Sequence, residues 1–382
     1  MTAPSRRAAA LLAALAVAAA VAAGCTRDGD RPAAAGAAPD PAATATTVPA
    51  ATTTTAAARS GGAAAGGPRA PSGRAVTLAF AGDTHFVGSL ATRLARDPGT
   101  AIGPMAAVLR RADLAMVNYE TAVTNGGTPV AKDFTFRSPP TGFAALRAAG
   151  IDVVTMANNH GEDYGLAGLR DSLAAARAAG FPVIGIGEDA DRAFAPYRAA
   201  VNGQRIAILA ATQVLDTSVA AAWTAGPGKP GLASAYQVGR LVGAVRAARA
   251  ASDTVVVFLH WGKESVGCPT PAQRVIARRL VAAGADVVVG SHAHRVLGAG
   301  WTDDGAYVAY GLGNFAFYHA SGLGTRSGVL TLAVRGRAVV DSRWSPAVIS
   351  GGVPLPLAGA AAAQATAWWH SLDGCTRLRA SR

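Results

Sequence analysis

Cysteine is scarce in this 382-residue chain, with three at positions 25, 268 and 375. Neither Cys268 nor Cys375 has a second cysteine at ligand spacing, which argues against a thiolate metal site. Basic helices and basic-aromatic alternation are missing too. The formal charge of +12, from 35 basic and 23 acidic residues, therefore lacks the features of a nucleic-acid footprint. Large apolar side chains are absent from residues 26–73 apart from Val48. That Ala/Thr/Pro/Gly stretch has no apolar periodicity and cannot bury enough surface to offset its ordering entropy, so it reads as a disordered tether.

Residues 1–25 carry Arg6-Arg7, an Ala/Leu/Val run and Ala23-Gly24-Cys25. The run is short for a membrane span and its flanks suit export, so the segment reads as a signal peptide. Ala-Ala-Gly before Cys25 resembles the lipobox of bacterial lipoproteins, with Ala22 where leucine is usual. It implies a lipid anchor on Cys25 and a chain held at the outer face of the membrane; the alternative is plain secretion. In that setting the cationic surface faces an anionic envelope, and an acidic polymer is a natural neighbour. Once Cys25 is set aside, Cys268 and Cys375 form an even pair, expected to be a disulfide outside the cytoplasm.

Residues 74–378 alternate strand and helix signals. Buried strands are expected at 75–82, 113–120, 151–158, 181–187, 205–212, 254–262 and 286–292. Helices are expected at 141–149, 165–179, 235–251 and 271–283. Gly150, Gly180 and Gly284 sit where a helix C-terminus needs glycine. After residue 300, "AYVAYGLGNFAF", "GVLTLAVRG" and "AVVDSRWSPAVIS" read as consecutive antiparallel strands. The class is α/β, with mixed sheets carrying helices outside.

Only seven histidines occur, yet "GSHAH" places His292 and His294 one residue apart after a buried strand. On extended backbone that spacing points both imidazoles to one side. Partners fall at other strand ends: Asp83 and His85 in "GDTH", Glu120 in "NYE", Asn159 in "ANNH" and His260 in "LHWGKE". Open α/β sheets gather ligands along that edge. Two carboxylates, one amide and four imidazoles suit borderline divalent ions such as Zn²⁺, Mn²⁺, Fe²⁺ or Co²⁺.

This order of motifs resembles the calcineurin-like metallophosphoesterase superfamily. The phrases "VNYE", "KDFTFRSPP", "GIDVVTMANNHGEDYG", "HWGKE", "GADVVVGSHAHRV" and "VAYGLGNFAF" resemble its CapA-like branch, linked to poly-γ-glutamate capsule synthesis. The resemblance implies a four-layer α/β/β/α sandwich and two divalent metal ions. One metal would take Asp83, His85, Glu120 and His294; the other Glu120, Asn159, His260 and His292, with Asn158 as an alternative to Asn159. It further implies His160 as general acid, Asp163 as its orienter, and Lys132, Arg137 and Asn314 near the substrate. Glu120 departs from the superfamily, which uses aspartate there. The function implied is metal-dependent hydrolysis of an envelope polymer such as poly-γ-glutamate, at a phosphoester or an amide. The alternative is a capsule assembly or export component that binds polymer without turnover.

Overall fold

Along Pro71–Thr84, large and small apolar residues alternate, and the alternation divides two cores. Val76, Leu78 and Phe80 face one way, into a cluster with Ile206, Ile208, Val256, Phe258, Val287 and Val289 of a second sheet. Ala79 and Ala81 face the other way, against helices. Period-two patterning thus tells each strand which layer to bury against. The structure is a computed structural model that describes residues 71–382. The expected signal peptide, most of the tether and Cys25 lie outside the described residues.

The first sheet has eight strands. Its order is Val353–Pro356, Ala338–Ser350, Arg326–Gly336, Pro71–Thr84, Leu114–Tyr119, Val153–Thr155, Val183–Ile184, with Asn314–Ala316 pairing beside Pro71–Thr84. The second has six, in the order Ala299–Trp301, Tyr307–Ala309, Val287–His292, Thr254–Trp261, Gln204–Thr212, Tyr197–Val201. The central strands of both are parallel. Helices Ser89–Arg96, Gly142–Ala148 and Gly165–Ala179 cover the first sheet. Val238–Ala250 and Pro271–Ala283 cover the second. The fold is the expected four-layer α/β/β/α sandwich of mixed sheets.

Local chemistry explains why two helices run where the sequence placed them. Pro271–Ala283 opens on a capping box, with Thr270 Oγ1 accepting from the Gln273 N–H at 3.2 Å and Gln273 Oε1 accepting from the Thr270 N–H at 2.8 Å. Gly284 closes it at φ 112°, and Gly180 closes Gly165–Ala179 at φ 54°. Pairing also extends past the expected limits: Pro71 pairs with Gly336, and the Arg379 N–H donates to the Trp301 carbonyl at 2.8 Å.

One expectation needs correcting. "AYVAYGLGNFAF" does not form one antiparallel strand; it splits between the sheets, and only Tyr307–Ala309 has an antiparallel neighbour, Ala299–Trp301. Tyr307–Ala309 joins the second, parallel to Val287–His292, and Asn314–Ala316 joins the first, parallel to Pro71–Thr84. The crossing passes through Gly311-Leu312-Gly313, with Gly313 at φ 66°. The Asp83 N–H donates to the Gly313 carbonyl at 2.9 Å. Gly82 permits this approach, because a β-carbon there would sit 1.7 Å from the Gly313 oxygen. Arg326–Gly336 and Ala338–Ser350 pair antiparallel, as expected.

Candidate metal centre

Because the central strands of both sheets are parallel, their carboxyl ends deliver side chains to common edges. Asp83, Glu120 and Asn159 come from the first sheet's strand ends, and His260, His292 and His294 from the second's. These six meet. Asp83 is buried, with Oδ1 accepting from Asn118 Nδ2 at 2.8 Å and Oδ2 accepting from the His292 backbone N–H at 3.2 Å. His294 Nδ1 lies 3.4 Å from the same Oδ2. Asn159 Oδ1 and His260 Nε2 face each other across 2.7 Å. Asn158 is turned away: its Nδ2 donates to Asn118 Oδ1 and the Tyr119 carbonyl, and its Oδ1 accepts from the His160 N–H. Asn159, not Asn158, therefore presents its amide to the centre.

Glu120 is fully buried, and neither carboxylate oxygen has a hydrogen-bond partner. Its Oε1 lies 3.4 Å from His260 Nε2 and 4.0 Å from His160 Nε2. An unpaired buried carboxylate costs several kcal/mol, on the order of the penalty for any uncompensated charge, and a cation offsets it. His292 Nδ1 is likewise buried without a partner. Donor atoms of Glu120, His260 and His292 lie within 4.8 Å of one another, as do those of Asp83, Glu120 and His294. The donor set fits divalent cations.

The electrostatics agree. Burial alone would lower the His294 pKa, yet its hydrogen bond to Asp83 and the charge of Glu120 outweigh it and raise the imidazole to about 10. Burial would raise Asp83, but the same bond and His260 hold its carboxyl well below the usual range. The pocket thus draws positive charge onto a ring that burial would otherwise strip. His292 is pushed well down, by burial first and then by its neighbour His260.

The His292–His294 turn departs from the extended backbone expected of it. Both residues have positive φ, 91° and 53°. Non-glycine residues rarely adopt this region, at a cost on the order of 1–3 kcal/mol each. Their rings sit 5.9 Å apart with a 53° tilt. Asp83 holds the turn through the His292 N–H, and Asn314 Oδ1 accepts from His294 Nδ1 at 2.8 Å. That bond leaves Nε2 as the His294 nitrogen a cation could take in place of a proton.

His85 also departs from expectation. Its Nδ1 accepts from the Val87 N–H at 3.1 Å. A backbone N–H can only donate, so the neutral ring carries its proton on Nε2, which has no lone pair for a metal. Burial, reinforced by His160 and His294, pushes its pKa down to about 3 and keeps it neutral. Packed against Phe136 at 4.8 Å, it enters neither ligand group.

His160 Nδ1 donates to Asp163 Oδ2 at 2.6 Å. Asp163 is saturated, since the Phe136 N–H donates to the same oxygen at 2.6 Å and Lys132 Nζ to Oδ1 at 2.9 Å. Lys132 also donates to the Asn159 carbonyl at 2.5 Å. Expected to hold substrate, it instead fixes the His160–Asp163 pair, because the buried carboxylate claims it. Arg137 is exposed, with its guanidinium over the Tyr164 ring at 4.8 Å. The residues of "KDFTFR" that line the cleft are Phe134 and Phe136. Asn314 lines it too, but its side chain is spent on His294 and, through Nδ2, on the Gly324 carbonyl.

The cleft has a volume of about 540 Å³ and an aromatic wall that includes Phe134, Phe136, Phe317 and Tyr318. His160, stacked on Phe136 at 4.0 Å, His294 and Glu264 line it too. Sequence reasoning assigned no role to Glu264 or to Asn118, whose Nδ2 also lies 3.1 Å from His260 Nδ1. Asn118 was legible in principle, since it stands two residues before Glu120 and shares its strand face. Cys268 and Cys375 are bonded, with Cα atoms 5.8 Å apart, as expected.

Within "NNHGED", Glu162 does separate work. It is buried with Oε2 unpartnered, and burial, partly relieved by Lys229, pushes its carboxyl from about 4.5 up to about 7. The stability it contributes is therefore full below about 4.5 and lost as pH rises through about 7. Glu162→Gln is expected to flatten the fall in melting temperature over that window. A variant whose melting curve tracks wild type at every pH would assign the dependence to other groups.

Among curated proteins, the chain is similar to the capsule biosynthesis protein CapA of Bacillus anthracis, 32% identical over 56% of this chain and 52% of that one. It is 31% identical to the PGA biosynthesis protein CapA of Bacillus subtilis, over 55% and 54%. A probable polyglutamine synthesis accessory protein of Mycobacterium tuberculosis is 30% identical over 48% and 50%. The matches span about half the length of these relatives. A solved structure of a hypothetical protein from Thermus thermophilus shares 18% identity at a TM-score of 0.46, over 72% of this chain and 100% of that one, too distant to argue function. Residues 77–319, which hold every strand end that meets at the centre, match the family described as bacterial capsule synthesis protein PGA_cap, and the chain belongs to that family.

Proposed function

We propose that the chain is an exported, membrane-tethered, metal-dependent hydrolase that acts on an anionic envelope polymer such as poly-γ-glutamate. The observation that carries this is Glu120: two buried carboxylate oxygens without partners, between His260 and the His160–Asp163 pair. Export is supported by the leader-like residues 1–25, by Cys25, and by a disulfide that suits an oxidising compartment. The polymer is suggested by the names of the relatives and by the cationic balance of the chain.

Asp83, Glu120 and His294 would hold one divalent cation, and Glu120, Asn159, His260 and His292 a second. Such cations supply Lewis-acid polarisation of the bond to be cleaved and activation of a water. The chain's own residues do the rest. Asp163 fixes the tautomer and direction of His160, so that Nε2 faces the centre and can deliver a proton to a leaving oxygen or nitrogen. Lys132 neutralises Asp163 and holds the Asn159 backbone. His85 Nε2 is buried without a hydrogen-bond partner. Phe136 and Phe317 give the cleft an apolar lining beside these groups.

Metal analysis of the purified full chain tests this reading. Glu120→Ala is expected to release most of the bound metal and His292→Ala part of it, with the fold retained by circular dichroism. Full metal content in both variants would remove the assigned centre. A panel of phosphoester and γ-glutamyl substrates then separates turnover from binding; stoichiometric metal with no hydrolysis favours the polymer-binding role.

A further inference from the structure

Glu264 stands four residues after His260, on the loop that follows Thr254–Trp261. Its side chain is exposed and lines the cleft beside His160 and His294. One of its carboxylate oxygens and nitrogens of His292 and His294 all lie within 4.8 Å of one another. This third group takes one imidazole from each of the two cation positions described above.

The loop is fastened to the histidine turn at two points and to the Leu372–Cys375 turn beyond it. The Ser265 N–H donates to the Ala293 carbonyl at 3.0 Å, between the two histidines. Arg295 Nη1 donates to the Ser265 carbonyl at 2.5 Å. Three residues on, Cys268 is bonded to Cys375, and Arg274 Nη2 donates to the Cys375 carbonyl at 2.6 Å. The neighbour of Glu264 is therefore tied to the residue between the imidazoles, which keeps the Glu264 backbone beside them. His292 Nδ1, buried and unpartnered, shows that donor capacity remains on that turn.

We propose that Glu264 is an additional oxygen ligand on the cleft side of the His292–His294 pair, held there by its loop and displaceable by an anionic substrate. The inference rests on the cation centre proposed above. The position built from Asp83, Glu120 and His294 draws on three residues, and a carboxylate beside His294 can add a further oxygen donor to it. An exposed carboxylate also competes with any anion seeking the same cation. Substrate must then displace Glu264, which tunes the centre against small phosphates that cannot gain enough elsewhere in the cleft.

The test is titration of the full chain with Mn²⁺, followed by calorimetry and by the electron spin resonance of bound Mn²⁺. Glu264→Gln keeps the size of the side chain and removes its charge. It is expected to weaken Mn²⁺ at one position by roughly 10–100-fold, with Glu264→Asp intermediate. At saturating Mn²⁺ it is expected to bind inorganic phosphate more tightly than wild type. A Glu264→Gln chain that takes up Mn²⁺ and phosphate as wild type does overturns the inference and leaves the centre standing. Wild type that binds no Mn²⁺ overturns both.

Discussion

Replacing His160 with alanine is expected to lower turnover by roughly 10²–10⁴-fold while metal stays bound, the range typical of removing a general acid. Nδ1 is already engaged by Asp163 at 2.6 Å, so Nε2 is the nitrogen free to move a proton, 4.0 Å from Glu120. Asp163→Asn should mimic much of the loss, since an amide can present its own N–H to Nδ1 and favour the wrong tautomer. Lys132→Met should act more weakly, because it disturbs His160 only through Asp163 and the Asn159 carbonyl. The measurements are metal content and steady-state kinetics on whichever substrate the panel identifies, across pH. Metal loss in His160→Ala would make His160 a ligand. Unchanged kcat would take the proton-transfer role from it.

Converting Cys268 and Cys375 together to serine is expected to produce the largest loss of stability. The bond joins residues separated by 107 positions. Chain-entropy arguments value a loop of about 100 residues at about 4–5 kcal/mol, through restriction of the unfolded chain. For a domain of this size that corresponds to a fall in melting temperature on the order of 10 °C. The bridge anchors the final turn, Leu372–Cys375, to the loop that carries Glu264. Differential scanning calorimetry of the double variant checks the magnitude, and a variant that melts with wild type would show that the bridge holds little. Alkylation of the unreduced full chain checks that the bond exists; labelling of both cysteines without reductant would count against it and against export.

Much of this arrangement was legible because it is written locally. Helices 165–179 and 271–283 carry their own stops in Gly180 and Gly284, and Thr270 with Gln273 writes the start of the second. Ligands at successive strand ends are legible because parallel strands share one direction, so position in the chain maps onto one edge. What escaped depends on partners distant in sequence. The split of "AYVAYGLGNFAF" is decided by which sheet edge each half meets, and no periodicity reports that. The tautomer of His85 is set by the backbone N–H of Val87. Lys132 turns inward because Asp163 needs a cation, while Arg137 finds Tyr164 outside. Glu264 lies on a loop without period, and only the stitching of Ser265 to Ala293 reveals where it stands.

The centre draws its donors from both sheets: carboxylates and an amide from one, imidazoles from the other. Asp83 and Glu120 come from one sheet and His260, His292 and His294 from the other, so a cation held at either position would act as a rivet across the seam between the layers. Occupancy then becomes a mechanical property as well as a chemical one. Any process that pulls the layers apart would first have to empty the rivet. If the chain is exported as proposed, it would acquire that fastening only on meeting the metal outside.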